Sequence, residues 1–145
     1  MSMKKKILFA LFIGFMVTSS AFAQSGKKKK IVEKPITGEV IIDLTKTVKK
    51  DFNLQAVNCY ILSGKLCIDI ADQVLNKYPP VEREKKSREI ALGAKNYFAL
   101  VPERAGMLRK ISDVGLTYMK GNLSNGMTFP NNILDSYTFR MADVK

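Results

Sequence analysis

Residues 54–67 read Leu-Gln-Ala-Val-Asn-Cys-Tyr-Ile-Leu-Ser-Gly-Lys-Leu-Cys, and the interpretation of this stretch decides the predicted fold. In one interpretation it is a β-hairpin with a three-residue loop over 62–64, in which Gly64 adopts the left-handed conformation. In the other it is a helix–turn–helix, because apolar residues recur at helical spacing between Val48 and Cys59. We predict a helix over residues 45–56 and leave both interpretations open beyond it.

The two cysteines of the chain, Cys59 and Cys67, lie in this stretch. In the hairpin, pairing of Ile61 with Lys65 places the cysteines opposite each other on one face, and in the helix–turn–helix they meet across the turn. Two cysteines in an oxidising compartment most often form one structural disulfide, which over so short a loop contributes roughly 2–3 kcal/mol. We therefore predict a Cys59–Cys67 disulfide in preference to two free thiols or a redox-active pair.

The segments before and after this stretch have different patterns, the first typical of a strand and the second of a helix. Residues 36–44, Ile-Thr-Gly-Glu-Val-Ile-Ile-Asp-Leu, are rich in β-branched side chains with apolar residues at alternate positions, which predicts a strand. Residues 66–78 have apolar side chains at helical spacing, which predicts an amphipathic helix. Pro79 and Pro80 end this helix, because a proline cannot donate the next backbone hydrogen bond.

The second half of the chain is predicted to contain two longer helices and a strand. Residues 81–100 form a helix that is exposed in its first half and ends at Pro102, and residues 103–120 show the clearest apolar stripe of the chain. Residues 137–144 alternate and predict a closing strand that pairs with 36–44. The expected fold is α+β, with three or four helices packed on a small antiparallel sheet in one domain over 36–145; a mainly α fold is the alternative.

The first 23 residues have the pattern of a cleaved signal peptide. Three lysines at 4–6 precede an apolar stretch over 7–18, and Ala21-Phe22-Ala23 provides the small residues that signal peptidase requires before Gln24. The apolar stretch is too short to span a bilayer as a stable helix, and we predict no transmembrane span in the mature chain. The expected location is therefore the periplasm or the exterior of the cell.

Residues 24–35 form a predicted flexible arm. The formal net charge of the chain is +11, and this arm contributes the run Lys27, Lys28, Lys29 and Lys30. The arm is either a solvated linker or a contact for an anionic surface such as lipid headgroups, an acidic polysaccharide or an acidic protein patch, since each lysine near an anionic bilayer contributes roughly 1 kcal/mol. Nucleic acid is not an expected partner, because no aromatic residues interleave with the lysines.

The residue types limit the chemistry that we expect. The chain has no histidine, which excludes Ser-His-Asp and Cys-His triads and removes the commonest zinc ligand. The carboxylates show no metal-binding or catalytic spacing, so we predict no catalytic residues, no metal and no cofactor. The expected function is that of a non-enzymatic exported protein that binds another envelope component or an anionic surface. The alternatives are a carrier with an apolar cavity between the 66–78 and 103–120 helices, and a carboxylate-based enzyme.

Overall fold

The structure is a computed structural model that describes residues 34–121, 123 and 130–145. The predicted signal peptide and the four lysines of the arm, Lys27–Lys30, lie outside these residues. None of the helices in the described part of the chain is long and apolar enough to span a membrane.

Helix α1 spans Gly38–Asp51, where the pattern predicts a strand followed by a helix. Thr37 caps it by accepting a hydrogen bond from the backbone N–H of Val40, and Lys49 and Lys50 lie in its last turn, next to the negative end of the helix dipole. Leu44 and Val48 are buried one turn apart. The strand prediction for 36–44 is therefore wrong, because this stretch and the following residues form one helix.

Strands β1 (Ala56–Leu62) and β2 (Lys65–Ala71) form a hairpin. Ser63 and Gly64 both have positive φ, 50° and 75°, so the turn contains two residues in the conformation that matches the twist of the flanking strands. The hairpin interpretation is confirmed, and the helix predicted over 66–78 is wrong. Only the short helix α2, Gln73–Asn76, forms in the second half of that segment.

The remaining elements are helices α3 (Pro80–Ala99) and α4 (Pro102–Leu108) and strands β3 (Asp113–Met119) and β4 (Ile133–Arg140). Short 3-10 helices cover Pro130–Asn132 and Met141–Asp143. Helix α3 confirms the helix predicted over 81–100, but its first half is not wholly exposed, because Arg83 and Ser87 are buried. The helix predicted over 103–120 ends after two turns, and its second half forms strand β3.

The four strands lie in the order β1-β2-β3-β4. The pairs β1–β2 and β3–β4 are antiparallel, whereas β2 and β3 are parallel because the chain crosses through α3 and α4 between them. The α+β class is confirmed, but the sheet is mixed and does not include residues 36–44. The register places Ile68 beside Leu116 and Ile70 beside Tyr118, all of them buried under the helices.

The buried guanidinium of Arg83 connects helix α3 to helix α2, to the turn after α2 and to strand β4. Only 6% of this residue is exposed, and its Nη1 forms an ion pair with Asp135 of β4 at 2.9 Å. Its Nη2 donates to the carbonyl oxygens of Tyr78 at 2.7 Å and Asn76 at 3.3 Å, and its Nε donates to that of Leu75 at 3.4 Å. One side chain of α3 therefore holds the end of α2, the following turn and an edge strand.

We expect Arg83→Met to lower the free energy of unfolding by about 3 kcal/mol or more, because it removes the ion pair with Asp135 and leaves the carbonyl oxygens of Asn76 and Tyr78 without their side-chain donor. The matched control is Lys85→Met, which removes the same charge from an exposed position of the same helix and is expected to change stability by less than about 0.5 kcal/mol. Urea unfolding followed by circular dichroism measures both. Equal effects of the two substitutions would contradict the role given to Arg83.

Candidate functional site

The two cysteines lie on opposite faces of the sheet. Cys59 pairs with Ile68 and Tyr60 pairs with Cys67, so Cys59 points towards the helices and Cys67 away from them. Both are free thiols, and the predicted disulfide is wrong. The physical reason is the loop length: the turn has two residues where three were predicted, and a register shift of one residue moves a side chain to the other face.

Neither thiol has the properties of a reactive cysteine. Cys59 is 3% exposed, and desolvation raises the pKa of its thiol to about 11, against the opposing effect of the nearby Thr45 side chain. Burial also raises the pKa of Cys67, against the opposing effect of the Lys65 charge. Nucleophilic cysteines need a lowered pKa, so these two thiols stay protonated at neutral pH and are unsuited to nucleophilic or redox catalysis.

We expect both cysteines to be alkylated under denaturing conditions without prior reduction. In the native protein Cys67 should react slowly and Cys59 should be protected, and the labelling rate should rise with pH, because burial raises the pKa of each thiol and alkylation requires the thiolate. Intact-mass measurements on the wild type and on Cys59→Ser and Cys67→Ser assign each site. A protein that resists alkylation until it is reduced would show that the disulfide forms after all.

The sheet face opposite the helices is polar. Tyr60 is hydrogen-bonded to Asp69 and Cys67, and desolvation together with the Asp69 charge raises the pKa of its phenol to about 12. Lys65 extends over Gly115, where a Cβ would lie 2.3 Å from the Lys65 Cε, and donates to the Thr138 hydroxyl at 3.0 Å. The Tyr60 phenol is therefore neutral at pH 7 and the Lys65 ammonium is hydrogen-bonded within the sheet, so these groups form a hydrogen-bonding surface.

The buried carboxylate of Asp72 has a structural role. Its oxygens accept hydrogen bonds from the backbone N–H groups of Val74, Leu75 and Gln55 at 2.9–3.0 Å, so it caps α2 and ties it to the segment before β1. Within the described residues, no group of three or more cysteine, aspartate or glutamate side chains could hold a metal ion.

Helices α1, α3 and α4 border an open groove of about 430 Å³. The Arg104 guanidinium lies 3.6 Å from the centre of the Tyr97 ring, and Asp43 accepts from the Tyr97 hydroxyl at 2.7 Å and from Arg104 at 3.4 Å. The Asp43 carboxylate, the Tyr97 hydroxyl and the Arg104 guanidinium are therefore partners of one another within the groove. The groove is also distinct from the apolar cavity expected for a carrier, since the two segments predicted to enclose that cavity as helices contribute strands β2 and β3 instead.

The outer surface of α1 carries three lysines that are free of such partners. Lys46, Lys49 and Lys50 are exposed, and no ion pair between described residues involves them; we call them the basic face of α1. Ile42, one turn before Lys46, is 57% exposed. On α3, by contrast, Lys86 is paired with Glu89.

The basic face was not predicted, although its signal is present in the sequence. Lysines at positions i, i+3 and i+4 share one side of a helix, and all three lie within the helix predicted over 45–56, but the prediction of an anionic contact was confined to the lysines of the arm. The predicted contact residues Lys27–Lys30 lie outside the described residues, so the structure does not relate them to α1.

Comparisons of the chain with protein-family models, with curated proteins and with solved structures found no match.

Proposed function

We propose that this protein is a non-enzymatic exported protein that binds an anionic surface of the cell envelope through the basic face of α1, assisted by the lysine arm at 27–30. The observation that carries the proposal is the group of three exposed lysines without ion-pair partners on one side of one helix. The shared chemistry of the ligand is a high density of phosphate or carboxylate groups, as in lipid headgroups or an acidic polysaccharide.

The magnitude of the electrostatic attraction is sufficient for reversible binding. Each lysine near an anionic bilayer contributes about 1 kcal/mol, and the effect is lost within a Debye length of about 10 Å at moderate salt. The basic face and the arm together supply seven lysines. Ile42 beside the basic face adds an exposed apolar side chain that can enter the interface.

The chemistry of the described polar groups supports a binding role over catalysis. The thiols of Cys59 and Cys67 have raised pKa values, the phenol of Tyr60 is neutral, and the Asp72 carboxylate caps a helix. Each of these groups is held in a structural contact or protonated, whereas the unpaired lysines on the surface of α1 are exposed and available to an anionic ligand.

We expect the mature protein to co-sediment with vesicles that contain phosphatidylglycerol and to remain in solution with pure phosphatidylcholine vesicles. The triple substitution of Lys46, Lys49 and Lys50 by glutamine should weaken this binding about tenfold or more, because it removes up to about 3 kcal/mol of attraction. A Lys27–Lys30→Gln variant measures the contribution of the arm separately, and raising the salt concentration should release the wild type.

The matched control replaces Lys77, Lys110 and Lys120 by glutamine, because these exposed lysines lie on other elements and give the same change in net charge. If the control weakens binding as much as the α1 variant, the interaction depends on total charge and the assignment to α1 is incorrect. If the wild type does not bind anionic vesicles or a soluble acidic polysaccharide, the proposed function is incorrect.

Export is testable by mass. We expect the protein isolated from its native compartment to begin at Gln24, because Ala21-Phe22-Ala23 matches the cleavage pattern of signal peptidase. Intact-mass spectrometry with N-terminal sequencing measures the start. Ala23→Asp places a charged residue at the cleavage position and should leave the uncleaved precursor in the membrane fraction. A full-length protein in the cytoplasm would overturn the export proposal.

A further inference from the structure

We propose that two copies of this chain associate through strand β1, with the two β1 strands pairing antiparallel to form one continuous sheet across the dimer. Strand β1 lies at the end of the strand order and, within the described residues, pairs only with β2. The backbone N–H and C=O groups on its outer edge therefore pair with no other described strand, and such groups can add a strand from another chain.

The composition of β1 favours this association. Its seven residues, Ala-Val-Asn-Cys-Tyr-Ile-Leu, contain no charge and no proline, and Leu62 at its end is 62% exposed. Edge strands of monomeric proteins are usually protected by charged side chains or prolines. The other edge strand, β4, has this protection, since it carries Asp135 and Arg140.

A second copy fits this edge better than an unrelated strand, because β1 is complementary to itself. A two-fold axis at Cys59 places Val57 opposite Ile61 of the second copy, Ala56 opposite its Leu62, and Asn58 opposite its Tyr60. Every cross-strand pair in this register is uncharged, and the two pairs at each end of the strand are apolar.

Helix α1 extends the surface beyond the strand. Helix α1 packs against β1, which places it over this edge of the sheet. Ile41 lies one turn from Thr45 and is partly exposed, and Ile42 beside it is 57% exposed. The apolar contact therefore continues from the strand onto the helix, whereas the nearby lysines of the basic face would oppose each other in the dimer.

The size of the surface predicts a weak dimer. A seven-residue strand is about 23 Å long, and the edge of a helix-on-sheet layer of roughly 15–20 Å thickness gives on the order of 400 Å² per copy. Both copies together bury less than the 1,200–2,000 Å² typical of stable complexes, so we expect a dissociation constant in the micromolar range. Added salt should strengthen the dimer, because it screens the repulsion between the basic faces.

Sedimentation velocity from about 5 to about 500 µM tests this inference on the mature chain, together with hydrogen exchange of the β1 amides at both limits. We expect concentration-dependent dimers and slower exchange in β1 at high concentration. Asn58→Lys with Leu62→Lys places two charges on exposed positions of β1 and should weaken dimerisation about tenfold or more. Circular dichroism confirms that the variant is folded.

The matched control places the same charges on the other edge strand, as Leu134→Lys with Ser136→Lys, and should leave the dimer unchanged. The inference is overturned if the wild type is monomeric throughout, if the β4 variant dissociates the dimer as the β1 variant does, or if exchange in β1 is independent of concentration. It does not rest on binding to anionic surfaces, since a dimer without vesicle binding and vesicle binding by a monomer are separately observable.

Discussion

The buried positive charge of Arg83 is the constraint on which the arrangement of the other elements depends. Helix α2 ends just before Pro79 and Pro80, which have no backbone N–H, so the carbonyl oxygens of Asn76 and Tyr78 need donors from elsewhere, whereas that of Leu75 also accepts from the Tyr78 N–H. Arg83 supplies those donors from the first turns of α3 and reaches Asp135 of β4 with the same guanidinium. Burying a guanidinium is costly unless its charge is paired and its N–H groups are hydrogen-bonded. Arg83 meets both conditions with acceptors from two parts of the chain that are far apart in sequence, the turn before α3 and strand β4.

This contact also determines which surfaces remain available. One turn after Arg83, Ser87 lies 2.8 Å from the hydroxyl of Tyr118, which fixes α3 over β3 near the middle of the sheet. With α3 in this position, α1 packs beside α3 and against β1. On α3, Arg83, Lys86 and Arg88 form ion pairs, whereas the three lysines of the basic face of α1 form none with other described residues, and the outer edge of β1 pairs with no described strand. The two proposed surfaces are thus two parts of the described fold that these internal contacts do not use.

The sequence predicts part of this fold, and the failures have a common physical cause. Helix α3 is predicted correctly because it is long and bounded by prolines at both ends. Strands β2 and β3 are mistaken for helices because residues four apart, such as Leu66 and Ile70 or Val114 and Tyr118, share a face in a strand as well as in a helix. Parallel central strands are apolar on most positions, so the alternation that distinguishes a strand is weak there.

The candidate site is hard to predict for a different reason, which is that several of its contacts join residues far apart in the sequence. The three lysines of α1 are visible in the sequence once the helix is known, whereas nothing local indicates that Arg83 meets Asp135. The cysteines depend on the length of one turn, and a difference of one residue separates a disulfide from two thiols on opposite faces.

The two proposed surfaces adjoin each other, and this relation affects both. Because α1 lies over β1, pairing of two β1 edges would bring the two basic faces to the same side of the dimer and double the number of lysines that meet one anionic surface. Binding of the second subunit would then be an intramolecular step, which raises the apparent affinity without any new contact. The anionic surface would in turn neutralise the lysines whose repulsion opposes the dimer, so that dimerisation and surface binding would favour each other by the same free energy.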